Sequence, residues 1–279
     1  MKATVDVAAV QMEVKWLEPE ANARLMTDGI ARAAAEAPVD LVVFPELANS
    51  GYVTRRDPEF MRRYYAAAEP IPGPTTRLLG EAARRHRVHV AVGLLETHPT
   101  IPAVMHNTAV LIQPDGAIGG VYRKAHIPGE EKHYFVPGNA LPVFDTPLGR
   151  LGLLVCADQS FPEAARVLAL RGVEILVVPY ALRRMPNLEL YVGMAAARAY
   201  ENQMYVIACN RVGQDGDIIF QGRSAIAAPS GELLARAAAE EETIIRARLD
   251  AEALLRARLH QSRFRDRRPD LYGPLAELP

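Results

Sequence analysis

The chain has 279 residues, 49% of them hydrophobic and 23% charged, with a formal net charge of −1. That is ordinary globular composition, long enough to bury a substantial core without staples, and its balanced charge offers no bulk field to recruit nucleic acid or an anionic membrane. Two cysteines, Cys156 and Cys209, cannot form a disulfide framework and suit a reducing compartment. The opening residues lack the apolar stretch of a secretory signal, and charges or prolines break each apolar run before membrane-span length. The expectation is a cytoplasmic protein; the one basic cluster is Arg263, Arg265, Arg267 and Arg268.

Residues 3–12 and 39–44 read as strands on either side of a helix at about 21–36. A helix over 75–87 and a strand over 88–95 follow. Strands at about 106–113 and 117–123 are joined by Pro114-Asp115-Gly116, a turn in which glycine tolerates positive φ. Residues 150–155 form another strand, and Pro162 opens a helix to about 171, because proline is favoured at a first helical position. Strand 173–178, helix 188–203 and strand 204–209 come next. A last hairpin is expected to turn at Pro229-Ser230-Gly231 and return along 243–249. Strand–helix–strand units mixed with hairpins imply an α/β domain over residues 1–260, with one mixed sheet or two and helices outside. Beyond that, residues 261–279 read as an extended tail whose Phe264, Leu271, Tyr272 and Leu275 need a surface, a partner subunit being the candidate.

Cys156 sits where an apolar strand meets a polar turn just before a helix, in GRLGLLVCADQSFPEAAR. Such an elbow exposes a side chain, and a helix N-terminus favours thiolate; a buried core thiol is the competing reading. Cys209, inside MYVIACN, reads as core. Glu46 follows VVFP and Lys124 lies in VYRKAHIP, each leaving the end of a strand, where α/β proteins place their sites. Singly, each reads as a solvated loop charge. Glu131 lies in GEEKHYFVPG, a loop mixing aromatic residues and charge. His126 or His133 could serve as base in a cysteine–histidine hydrolase. A metal site at His86 and His89 has no second ligand cluster to support it, so neither a metal nor a cofactor is expected.

Phe44-Pro45-Glu46-Leu47, then Tyr122-Arg123-Lys124-Ala125-His126-Ile127-Pro128, then Cys156-Ala157-Asp158 with Phe161-Pro162-Glu163 together resemble the three signatures of the nitrilase superfamily, in order and at family spacing. AAVQM, Tyr134-Phe135-Val136-Pro137-Gly138 and Arg267-Arg268-Pro269-Asp270-Leu271-Tyr272 extend the likeness over almost the whole chain. The resemblance implies a four-layer α-β-β-α sandwich and a homodimer or higher homo-oligomer. It implies a Glu46–Lys124–Cys156 triad with Glu131 as a second acid, and an oxyanion site shared by Lys124 and the backbone N–H of Ala157. Tyr52, His133 and Gln159 are assigned to the surrounding pocket, and the partner is a small-molecule substrate. True nitrilases of this family usually carry Cys-Trp-Glu, so Cys156-Ala157-Asp158 argues for amide or carbamoyl substrates. Gln159 and Ser160 stand where carbamoylases acting on D-amino acids have two arginines, so that carboxylate clamp is missing. Arg183 and Arg184 are the alternative carboxylate partners, or else solvated loop charges. A nitrilase, and a binding protein on the same scaffold, are the competing functions.

Overall fold

A computed structural model describes residues 1–261 and 263–277. The first six-stranded sheet contains β1 (Thr4–Gln11), β2 (Leu41–Val43), β3 (His89–Thr97), β4 (Met105–Ile112), β5 (Ile118–Arg123) and, at its far edge, β14 (Thr243–Asp250). The second is built from β6 (Val143–Thr146), β7 (Gly149–Leu153), β8 (Ile175–Pro179), β9 (Tyr205–Cys209), β12 (Ala225–Ala227) and β13 (Leu233–Arg236). Both follow one plan. Three central parallel strands, β1-β2-β3 or β7-β8-β9, carry antiparallel strands on either side. A separate hairpin, β10 (Val212–Asp215) with β11 (Ile218–Gln221), stands beside them.

Strand alternation sorts the core into layers. Val5, Val7 and Ala9 of β1 pack in the cluster that also holds Leu151, Leu153, Ile175 and Val177 of the second sheet. Ala8 and Val10 face the other way, onto Met26, Ile30 and Ala33 of α1 (Pro19–Glu36) and Leu79 and Ala83 of α3 (Pro74–His86). On the opposite side, α4 (Pro162–Leu170) and α5 (Leu188–Asn202) cover the second sheet. The order is helix, sheet, sheet, helix, as the resemblance implies. Pro19, Pro74 and Pro162 each open a helix, where the missing N–H costs nothing.

Two features depart from the sequence reading. Pro229-Ser230-Gly231 does turn a hairpin, with Gly231 at φ 85°, but the return strand is β13 rather than residues 243–249. Those residues cross to the first sheet and pair with β1 over its full length, from Thr4 opposite Asp250 to Gln11 opposite Thr243. Second, α2 (Pro58–Ala66), capped by Asp57 accepting from the Phe60 N–H, and α6 (Ala251–His260) were not anticipated. Phe60 and Tyr64 of α2 pack with Leu47, Tyr134 and Phe135 into a third apolar cluster roofing the strand ends.

In the tail, Phe264 packs on its own chain, with the guanidiniums of Arg166 and Arg258 5.8 and 5.9 Å from its ring centre. Leu271, Tyr272 and Leu275 stay exposed. Among the described residues, no helix is long and apolar enough to cross a membrane.

Candidate active site

Glu46, Lys124 and Cys156 follow β2, β5 and β7, strand ends that the topology brings to one side of the sandwich. Glu46 and Lys124 are fully buried and Cys156 is 6% exposed. Backbone geometry aims two of them. Cys156 takes φ 48° at the start of a 3-10 turn running to Ser160, and Leu47, directly after Glu46, takes φ 50°. Both values lie in the left-handed region that costs an ordinary side chain energy. Gly93 of β3 lets the glutamate loop come close: a β-carbon there would stand 2.5 Å from the Glu46 Cα. The loop is tied down where Gly93 N–H donates to the Pro45 carbonyl at 2.9 Å and Ala48 N–H to the Gly93 carbonyl at 2.7 Å.

The ammonium of Lys124 donates to Glu46 Oε1 at 2.8 Å and to both Glu131 oxygens at 2.9 Å. Glu131 is fully buried and also accepts from the Tyr52 hydroxyl at 2.6 Å. Glu46 Oε2 accepts from the Ala181 N–H at 2.7 Å. Burial works against the lysine charge, but Glu46 and Glu131 outweigh it, so the pKa of Lys124 is raised and it stays an ammonium. Burial pushes the Glu131 carboxyl up, opposed by Lys124. It also pushes the Cys156 thiol well up; Glu46 acts in the same direction by charge and hydrogen bonding, and Lys124 opposes. The resting sulfur is therefore a thiol.

Two buried residues complete the site without having been singled out. The side-chain amide of Asn107 on β4 donates to Glu46 Oε1 at 2.7 Å and to Glu131 Oε2 at 3.3 Å, and its backbone carbonyl accepts from the Lys124 backbone N–H at 2.8 Å. Its signal is an asparagine in a strand buried along its whole length, where a side-chain amide demands polar partners. Asp158 accepts from the Val155 N–H at 2.9 Å, Tyr122 hydroxyl at 2.7 Å and His126 N–H at 2.9 Å. His126 Nδ1 lies 2.7 Å from the same carboxylate, while its ring stacks on Phe161 at 3.9 Å. Asp158 thus bolts the cysteine elbow of one sheet to the lysine segment of the other.

A cavity of about 300 Å³ opens onto Cys156, lined by Tyr52, Val53, Ala157, Leu182, Arg183, Met185, Tyr191 and Ile218 among others. Tyr52 and Ala157 are on its wall. Gln159 is buried behind the elbow, its side-chain oxygen accepting from the Tyr180 hydroxyl. His133 is exposed on the 3-10 turn that carries Glu131, outside the lining. Neither His126 nor His133 is among the residues lining the cavity at Cys156, so the geometry gives no support to a cysteine–histidine pair. Among the described residues no three His, Cys, Asp or Glu side chains group so as to hold a metal ion. Cys209 is a core thiol, its sulfur 3.4 Å from the carbonyls of Val10 and Val43.

A buried cysteine elbow thus lies beside a glutamate–lysine–glutamate cluster, between two sheets of one plan. The chain belongs to the carbon-nitrogen hydrolase family, whose model matches residues 6–258. It is 36% identical to a nitrilase of Pyrococcus abyssi, over 96% of this chain and 99% of the relative. It is 33% identical to the N-carbamoylputrescine amidase of Solanum lycopersicum, over 89% and 88% of the two chains. The crystal structure of a carbon-nitrogen hydrolase from Helicobacter pylori G27 superposes with a TM-score of 0.90 at 30% identity, covering 99% of both chains.

Proposed function

We propose that the protein hydrolyses the C–N bond of a small linear amide or N-carbamoyl compound through a thioester on Cys156. The observation that carries this reading is the Lys124 ammonium held between Glu46 and Glu131 behind the thiol. Glu46 takes the S–H proton as sulfur bonds to the carbonyl carbon. The carbonyl oxygen becomes an oxyanion, received by Lys124 and the N–H of Ala157. An ammonium has three N–H donors; with Glu46 on one and Glu131 sharing another, the third is open to that oxygen. Glu46 then returns the proton to nitrogen, the C–N bond breaks, and ammonia or amine leaves. Water, deprotonated by Glu46, attacks the thioester; the C–S bond breaks and the acid departs, restoring the thiol. Glu131 keeps Lys124 charged and placed.

The second reading, hydrolysis of a nitrile, has in its favour the identity to the Pyrococcus nitrilase. Against it stands the Cys156-Ala157-Asp158 run. Ammonia release should be measured for wild type and Cys156→Ala on matched short amides, N-carbamoyl compounds and nitriles. Cys156-dependent release from the amide or carbamoyl set supports the proposal; release from nitriles alone replaces it with the second reading. We further infer a homo-oligomer in which Leu271, Tyr272 and Leu275 meet a second subunit, since the two leucines are 61% and 66% exposed and Tyr272 is 39% exposed beside them.

A further inference from the structure

The loop after β8 carries two adjacent arginines with opposite fates. Arg184 turns away from the cavity and is ion-paired with Glu240. Arg183 lines the cavity, yet no carboxylate of the described residues stands within ion-pair distance of it. Its position is fixed by the fold: residue 183 forms a backbone bridge to Phe220 of β11, and the next N–H donates to the Ile219 carbonyl at 2.7 Å. The other charged side chain on the wall, Glu130, is engaged at both oxygens by the guanidinium of Arg56. The rest of the wall is mostly apolar, with Leu182, Met185, Tyr191 and Ile218.

A cavity with a mostly apolar wall that holds both the Cys156 thiol and an exposed guanidinium without an ion pair fits one kind of molecule. We propose that Arg183 binds a carboxylate at the far end of the substrate, so that the enzyme prefers a short linear amide or N-carbamoyl compound ending in an acid. This rests on the amide reading above and adds the charge of the distal group to it. A guanidinium receives a carboxylate with two parallel N–H donors, whereas a distal amine would meet repulsion. A hydrogen bond between charged partners makes a difference of about 10- to 100-fold.

Glutaramic acid, valeramide and gamma-aminobutyramide place a carboxylate, a methyl and an ammonium on the same amide chain. Wild type should have its highest kcat/KM on glutaramic acid. Arg183→Gln should lose at least about 10-fold more on glutaramic acid than on valeramide, and Arg183→Lys should restore part of that preference. Equal losses on all three, or a wild-type preference for the amine, would overturn the proposal. A parallel measurement does not depend on turnover: the rate at which iodoacetamide labels Cys156, read by intact mass with glutarate or butylamine present. Glutarate should protect wild type and not Arg183→Gln; no protection, or protection indifferent to Arg183, refutes the carboxylate site. Arg183-dependent protection without ammonia release from any amide would leave the site standing and sink the amidase reading instead.

Discussion

At the scale of single residues the site is a set of charges that exist because each neutralises another. Lys124→Ala removes the proposed oxyanion donor and leaves Glu46 and Glu131 without the ammonium between them; turnover should fall at least about 10²–10³-fold, while circular dichroism shows a folded protein. Near-normal turnover would remove Lys124 from the mechanism. The high thiol pKa has its own consequence. With Glu46 present, labelling of Cys156 should vary little over about pH 7 to 9, because the carboxylate rather than solvent takes the proton. In Glu46→Gln one influence that raises the thiol pKa is gone, but burial, the largest, remains and the thiol must ionise unaided; labelling should be slow and climb roughly tenfold per pH unit below that pKa. A flat profile in that variant would mean that Glu46 is not the base. Asp158→Ala strands the Val155 and Tyr122 donors and frees the elbow; unfolding in urea should show a loss of about 3 kcal/mol or more.

Elements supply the aim. Gly93→Ala adds one carbon 2.5 Å from the Glu46 backbone and must push the glutamate loop off β3. A displacement of about 1 Å can cost about 10² in rate, so kcat should drop strongly although no reacting group changes. Unaltered kcat in Gly93→Ala would show that the loop tolerates the shift. Strand ends carrying Glu46, Lys124 and Cys156 were readable because a charge or thiol ending an apolar run is a local pattern. Asn107 was legible only as a polar residue in a buried strand, and its partners lie 61 and 24 residues away. Asp158 sits inside a recognised motif, yet its task, joining the two sheets, depends on Tyr122 and His126 and has no local trace. The misplaced return strand has the same cause. Both 233–236 and 243–249 have strand character, and the choice between β12 and β1 as partner is made by contacts distant in sequence.

For the whole molecule, strands with helices outside were legible from alternating apolar strands and amphipathic helices, and the four layers only from the family resemblance; the repeated plan of the two sheets was not, since strand order leaves no periodic mark. The exposed tail residues carry a prediction of assembly. Changing Leu271 and Leu275 together to Asp should shift light-scattering mass toward the monomer; an unchanged oligomer would place the interface elsewhere. Cys156 follows a strand of one sheet and Glu46 and Lys124 follow strands of the other, and the proposed function is covalent catalysis where they meet. Its most direct test is the intact mass of wild type quenched in acid during turnover of a slow short amide, beside Cys156→Ala. The account predicts an acyl adduct on Cys156 that hydroxylamine removes, with neither adduct nor ammonia in the variant. Turnover without an adduct, persisting in Cys156→Ala, would contradict it.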